Sequence, residues 1–203
     1  HYQALLTTFI DKVNDELLDV APNLKIVANF AVGYDNIDVP ACTRRNVLAS
    51  NTPGVLSEAT ADQTFALILA VARRIVEGHS MVANNEWLGW APLQLLGQDL
   101  TGKTLGIIGM GRIGQEVAKR AKGFDMNVIY FNRKRDFEAE KGLGARYVDL
   151  PTLLKESDVV SIHCPYSKET HHLIAEKEFQ QMKPNSILVN TARGPIVHET
   201  ALV

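Results

Sequence analysis

Gly109-Met110-Gly111-Arg112-Ile113-Gly114 spaces its glycines as GxGxxG, between the apolar run Thr104–Ile108 and a stretch from Gln115 that reads as helix. A phosphate-binding turn needs that order. Gly109 makes the tight turn, Gly111 lets backbone amides close on a pyrophosphate, and Gly114 lets helix and strand pack closely. Arg112 and Ile113 complete the turn, whose free N–H groups and helix dipole, roughly half a positive charge, hold the anion. The next run, Asn127–Phe131, leads to Asn132, where a carboxylate for a ribose 2′-hydroxyl would stand in an NAD-selective site. Asn does not repel a 2′-phosphate, and Arg133, Lys134 and Arg135 follow as cations able to pair with one. These residues predict a dinucleotide site that prefers NADP(H), with NAD(H) as the alternative. Taken alone, the charge run reads as a solvated basic loop.

Arg193 follows the apolar run Ile187-Leu188-Val189, at the carboxyl edge where open parallel sheets bind ligands. A guanidinium there can bind a carboxylate or polarise a carbonyl. On spacing alone it also reads as a surface arginine capping a strand end. His163 ends a strand and reads as structural or cofactor-edge; His171 and His172 read as solvated, and His198 as a helix-start residue. No His/Cys/Asp/Glu spacing matches a metal site, and no Gly-x-Ser-x-Gly elbow is present.

The elements that must position these groups alternate. Strands are predicted at Leu24–Phe30, Thr104–Ile108, Asn127–Phe131, Tyr147-Val148, Asp158–His163 and Ser186–Asn190. Helices are predicted at Asp11–Val20, Asp38–Arg45, Arg112–Lys122, Phe137–Lys141, Pro151–Glu156 and Ala175–Met182. Val55–Glu77 lacks Pro and Gly and reads as one long, mostly buried helix that Gly78 ends or kinks. This order predicts an α/β, Rossmann-type doubly wound parallel sheet with helices on both faces, plus part of a smaller α/β lobe. The expected division is a partial substrate lobe over 1–51, a linking helix and connector over 52–90, and an NAD(P)-binding domain, incomplete at its C-terminal end, over 91–203.

The 203 residues carry a formal charge of -2, without the basic surplus that nucleic acid or an anionic membrane would call for. Their 46% hydrophobic and 22% charged content is that of a globular chain. The longest apolar run, Phe65–Ala72, falls far short of the roughly 18 residues of a spanning helix. Two cysteines build no disulfide framework and fit a reducing compartment, most simply the cytoplasm. Both Cys42 and Cys164 read as structural.

Five stretches together resemble the D-isomer-specific 2-hydroxyacid dehydrogenases. They run from Asn29 to Asp38, Asn51 to Asp62, Leu100 through the glycine loop, His163 to Thr170, and Val189 to Val197. Within that family, Asn51–Asp62 and Asn132-Arg133 look most like glyoxylate/hydroxypyruvate reductases. The resemblance implies that the loop at Val32 and Gly33, which by itself reads either as an anion-binding turn or as a plain glycine turn, holds the substrate carboxylate. It implies that Arg193 is catalytic and also borders the cofactor. It places Thr60, Cys164, Pro165, Thr170, Thr191 and Ala192 beside the cofactor; for Thr60 the residue alone predicts only a hydroxyl satisfied one turn back. It also implies a homodimer formed through the long helix and the Trp87–Trp90 region.

The family pairs an acid histidine with a glutamate, both downstream of the arginine. Here only ten residues follow Arg193, and His198-Glu199 comes too early to match. The chain does not begin with Met, and the expectation is that 1–203 is a piece of a longer enzyme. The implied reaction is reduction of glyoxylate or hydroxypyruvate by NADPH. Other readings are a relative acting on 3-phosphoglycerate or D-lactate, and a dinucleotide-sensing corepressor or scaffold on the same fold.

Overall fold

The computed structural model describes residues 2–203 and divides the chain into two compact units, His1–Leu56 and Ser57–Val203.

In the first unit, β1 (Ala4–Thr7), β2 (Ile26–Asn29) and β3 (Leu48–Ser50) form a parallel sheet in that order, and α1 (Asp15–Asp19) and α2 (Val39–Arg44) connect them. Val13, Leu18, Leu24, Val27, Ile37, Ala41, Cys42 and Val47 make the core. The helix expected over Asp11–Val20 shrinks to α1 for a local reason. Asp11 instead accepts the N–H and the hydroxyl of Thr8, both at 2.7 Å. Val13 pairs with Ile37 in a β-bridge, and Asn14 caps the helix by accepting the Leu17 N–H at 3.2 Å. α2 begins on Asp38, which accepts the Ala41 N–H at 2.8 Å, with Pro40 in the first turn where its missing N–H costs little.

The second unit opens with two helices, α3 (Ser57–Ala72) and α4 (Ile75–Ala83). Its sheet is built from β4 (Thr104–Ile108), β5 (Asn127–Phe131), β6 (Arg146–Tyr147), β7 (Val159–Ile162) and β8 (Ile187–Asn190). α5 (Arg112–Lys122), α6 (Phe137–Leu143), α7 (Leu150–Glu156) and α8 (Glu176–Phe179) connect the strands, and α9 (Glu199–Leu202) follows. The order is β6-β5-β4-β7-β8, all parallel. Successive strands add to one side of β4 and then to the other. The reversal opens a crevice at the carboxyl ends of β4 and β7, where such sheets bind ligands.

One face of that sheet is covered by α3 and α5. Ala61, Phe65, Ile68 and Ala72 join Val117, Ala118 and Ala121 in one core cluster, and Phe65 stacks on Phe124 at 5.2 Å. Leu153 and Leu154 of α7 are fully buried in a second cluster with Val160 and Ile162.

The single long, buried helix does not form. α3 stops at Ala72, Arg74 adopts the left-handed conformation (φ +52°), and α4 runs on through Gly78. The cause lies some twenty-five residues on. The Gln98 N–H takes the Ala72 carbonyl at 2.8 Å, and Gly97 lies so close that a Cβ there would stand 2.3 Å from that oxygen. Nor is the outer face covered. Val71, Ile75, Val76, Leu88, Trp90 and Leu93 are all exposed. Among the described residues no helix is long and apolar enough to cross a membrane.

Candidate functional site

The glycine loop sits at the carboxyl end of β4, and each glycine there answers a different constraint. Gly109 has φ +101°, and a Cβ on it would meet the Cys164 nitrogen at 2.5 Å, so the loop is pressed against the end of β7. A Cβ on Gly114 would stand 2.2 Å from the Gly109 carbonyl oxygen, which makes glycine the condition for α5 to start so near the strand. Gly111 is the N-cap of α5, and nothing lies within 4 Å of where its Cβ would be. The first-turn N–H groups of α5, from Arg112, Ile113 and Gly114 among others, have no partner inside the helix. An open glycine face beside orphan N–H donors and a positive helix end fits a pyrophosphate. The residues present therefore suit a dinucleotide.

At the end of β5, the Asn132 Oδ1 accepts the Met110 N–H at 2.9 Å. Its acceptor is thus tied to the glycine loop, and the amide NH₂ is left as donor. Arg133 and Lys134 are exposed. Arg135 is not part of a free cationic trio: it grips Glu140 with two bonds of 2.7 Å and lies over the Phe137 ring at 4.8 Å.

His163 follows directly after β7, and its imidazole is largely buried. Ser161 Oγ lies 2.7 Å from its Nε2 and Thr191 Oγ1 3.4 Å from its Nδ1. Thr191 Oγ1 is in turn 3.1 Å from Thr64 Oγ1, and the Thr64 hydroxyl donates to the Thr60 carbonyl at 2.8 Å. A carbonyl only accepts, so the far end of this chain fixes every proton in it. Thr64 donates to Thr60, Thr191 to Thr64, His163 Nδ1–H to Thr191, and Ser161 to His163 Nε2. The imidazole is held as the neutral Nδ1–H tautomer, and burial pushes its pKa down to about 4. No sequence signal singled out Thr64 or Ser161, both buried. Thr60 enters this chain through its backbone carbonyl.

Cys164, half-buried, has its thiol pKa raised by burial, which suits a structural rather than a nucleophilic sulfur. Pro165 is exposed. The Thr170 hydroxyl donates to the Pro165 carbonyl at 2.8 Å and accepts the Ser167 N–H at 2.7 Å, so it shapes its own loop.

After β8 the chain folds over Asn190. Asn190 Oδ1 accepts the Ala192 N–H at 3.0 Å, and Nδ2 donates to the Arg193 carbonyl at 2.8 Å. One side chain thus sets the turn through Thr191, Ala192 and Arg193, a role the strand pattern alone did not reveal. Arg193 is half-buried, and its Nη1 donates to the Ala192 carbonyl at 3.0 Å.

His171 and His172 are exposed but not simply solvated. Their rings stack at 3.8 Å, and His172 meets the His198 ring edge-on at 4.4 Å. The His172 N–H also donates to the Pro195 carbonyl at 2.9 Å, so the loop after β7 is tied to the turn after β8. Among the described residues no group of three or more His, Cys, Asp or Glu could hold a metal ion.

The structure thus gathers the glycine loop, Asn132, the His163–Thr170 loop and the Thr191–Arg193 turn at the carboxyl ends of adjoining strands. Thr60 joins them through Thr64. Val32 and Gly33 belong to the other unit, in the loop after β2.

A doubly wound parallel sheet with this loop at its crevice is a dinucleotide-binding domain of the Rossmann type. The profile of the D-isomer specific 2-hydroxyacid dehydrogenase, NAD binding domain, matches residues 65–203, and the chain belongs to that family. A glyoxylate reductase from Thermococcus litoralis is 59% identical over 98% of this chain and 62% of its own length. The crystal structure of the TT0316 protein from Thermus thermophilus superposes with a TM-score of 0.91 at 47% identity, covering 98% of this chain and 62% of that one. That of a D-lactate dehydrogenase from Aquifex aeolicus, complexed with NAD and lactic acid, gives a TM-score of 0.91 at 37% identity, covering 98% and 59%. The chain thus spans about three fifths of the length of the relatives it matches. The matched part of the family is its NAD binding domain, so residues 65–203 carry a nicotinamide dinucleotide site.

Proposed function

We propose that the protein reduces glyoxylate or hydroxypyruvate to the 2-hydroxy acid with NADPH. The observation that carries this reading is the gathering, at the ends of β4, β5, β7 and β8, of a pyrophosphate loop, a 2′-position without a carboxylate, and the Asn190-braced turn that carries Arg193. The glyoxylate reductase relative supports the substrate class. The bound cofactor supplies a hydride from nicotinamide C4 to the carbonyl carbon. In the site, Gly109, Gly111, Arg112, Ile113 and Gly114 hold the pyrophosphate. The Asn132 amide donor, Arg133 and Lys134 face the 2′-phosphate. Thr60, Cys164, Pro165, Thr170, Thr191 and Ala192 border the cofactor, and Arg193 does so as well.

The Val32 and Gly33 N–H groups hold the substrate carboxylate, and the Arg193 guanidinium draws charge onto the carbonyl oxygen. The alkoxide then needs a proton. His163 is a poor donor: its Nδ1–H is engaged by Thr191, and burial keeps the ring neutral. The resemblance calls for an acid histidine paired with a glutamate, and His198-Glu199 does not match that pair. A phosphorylated substrate fits less well, because Arg44 and Arg45, the cations it would call on, are paired with Asp15 and Asp19.

The exposed apolar face of α3, α4 and the connector is where a second copy docks, giving a homodimer. A two-fold contact uses the same patch twice, and apolar patches of this kind mark association sites. Two unpaired cysteines suit the cytoplasm.

Arg193→Met tests the core of the proposal. Glyoxylate-dependent NADPH oxidation should fall by roughly 10²–10³ in kcat/KM. An unchanged rate removes Arg193 from the chemistry.

A further inference from the structure

In the loop after β2, three consecutive carbonyls are each taken by a donor from the same unit. The Ala31 carbonyl accepts the Thr52 N–H at 3.0 Å, the Val32 carbonyl accepts Asn51 Nδ2 at 2.8 Å, and the Gly33 carbonyl accepts Asn29 Nδ2 at 2.8 Å. No peptide bond is cis among the described residues, and in a planar trans peptide the N–H points opposite to the C=O. Holding these three carbonyls therefore turns the N–H groups of Val32, Gly33 and Tyr34 the other way. None of the three meets an acceptor among the described residues.

Asn29 is itself immobilised. It is 2% exposed, at the end of β2, and the Thr7 hydroxyl, also buried, donates to its Oδ1 at 3.0 Å. The Gly33 oxygen can only accept, which fixes the amide end facing the loop. Behind it, Asn36 Nδ2 donates to the Thr8 and Asp11 carbonyls at 3.0 and 2.9 Å, bracing the neighbouring turn. Two buried polar side chains in a unit this small carry a desolvation cost, and here they serve one loop.

We propose that Asn29 and Asn51 are positioning residues for the substrate: they pull the loop's carbonyls back and so present its N–H groups as a preformed carboxylate site. This rests on the reading of Val32 and Gly33 as the carboxylate loop. The clamp does two things for an anion. It keeps carbonyl oxygens, the negative ends of the peptide dipoles, from turning toward the carboxylate. It also removes the ordering cost that a free loop would meet on binding.

Each clamp governs one peptide, which gives the test its resolution. Asn29 holds the Gly33–Tyr34 peptide and so the Tyr34 N–H; Asn51 holds the Val32–Gly33 peptide and so the Gly33 N–H. Isotope-labelled protein with NADPH bound is titrated with oxamate, an unreactive 2-keto acid analogue, and the backbone amide resonances are followed. In the unaltered protein Val32, Gly33 and Tyr34 should shift together. Asn29→Asp keeps the shape and removes the donor; it should abolish the Tyr34 response and weaken oxamate binding roughly ten-fold, with the Val32 response retained. Asn51→Asp should do the same to Gly33 and spare Tyr34, so either variant alone suffices if the other fails to fold. Wild-type responses at all three amides in both variants, or a uniform loss at all three in each, would overturn the clamp while leaving the loop as a binding site. Absence of any shift in the unaltered protein removes the carboxylate loop itself, and the clamp with it, before any substitution is made.

Discussion

Two loops in this chain present backbone N–H groups, and they do so by different physics. The loop after β4 relies on glycine and on a helix start. Gly109 and Gly114 permit approaches that a Cβ would block, and the N–H groups point outward because α5 leaves them unpaired. In the loop after β2 the N–H groups of Val32, Gly33 and Tyr34 lie ahead of the α2 N-cap, Asp38, and owe nothing to a helix start; they turn outward because Asn29, Asn51 and the Thr52 N–H hold the carbonyls back. The first device is written in six consecutive residues. The second is spread from Thr7 to Thr52. A backbone-encoded site is therefore visible as a motif, whereas a side-chain-encoded one shows only once the fold brings its parts together.

The largest effect should come from breaking the backbone device. Gly114→Val places side-chain atoms beyond a Cβ already 2.2 Å from the Gly109 carbonyl oxygen. It should cost about 3 kcal/mol or more of stability and weaken NADPH binding at least a hundred-fold; calorimetry and a thermal melt check both. If the fold survives and NADPH still binds, close packing at that position is not what forms the site.

Next in size is the pH response of the second unit. His163 has its pKa pushed from 6.5 down to about 4. The unfolded chain therefore binds this proton more readily than the folded one between those values. Stability is full above pH 6.5 and falls as pH drops toward 4, by about 3 kcal/mol in total. Urea unfolding across that window should show the slope, and His163→Gln should flatten it. No equivalent slope should appear in the loop after β2, whose clamps do not titrate.

A smaller effect sharpens the contrast within the cofactor loop. Asn132→Asp keeps the acceptor for the Met110 N–H and adds a charge facing the 2′-phosphate. The ratio of NADPH to NADH affinity should fall roughly ten-fold, read by parallel titration. The smallest belongs to the other loop. Thr7→Val removes the hydroxyl that orients Asn29 and should cost about 1 kcal/mol in unfolding free energy, with NADPH affinity unchanged.

The same contrast explains which parts of the fold were legible in the sequence. Thr104–Ile108, Arg112–Lys122 and Asn127–Phe131 coincide with β4, α5 and β5, because each is a buried strand or an amphipathic helix bounded by glycine. β1 and β3 escaped notice: they are four and three residues long, and apolar runs as brief as Ala4-Leu5-Leu6 and Val47-Leu48-Ala49 do not distinguish a strand. The break between α3 and α4 was invisible because Gly97 and Gln98 impose it from a distance. In the site, the glycines stood out by type and spacing, and Arg193 only through the family resemblance. The proton-directed chain through Thr64, Thr191, His163 and Ser161 did not, since its members lie on three elements and each looks ordinary alone. Arg135 misled for the complementary reason: charge type is visible in a sequence, but its pairing with Glu140 is not.

The measurement that bears most directly on the account is glyoxylate-dependent oxidation of NADPH and NADH, run in parallel on purified protein whose intact mass is determined. The account predicts turnover with NADPH at least ten-fold more efficient than with NADH. Turnover that prefers NADH would contradict the reading of Asn132, Arg133 and Lys134. No turnover with either cofactor, from a polypeptide of full family length, would contradict the reductase itself.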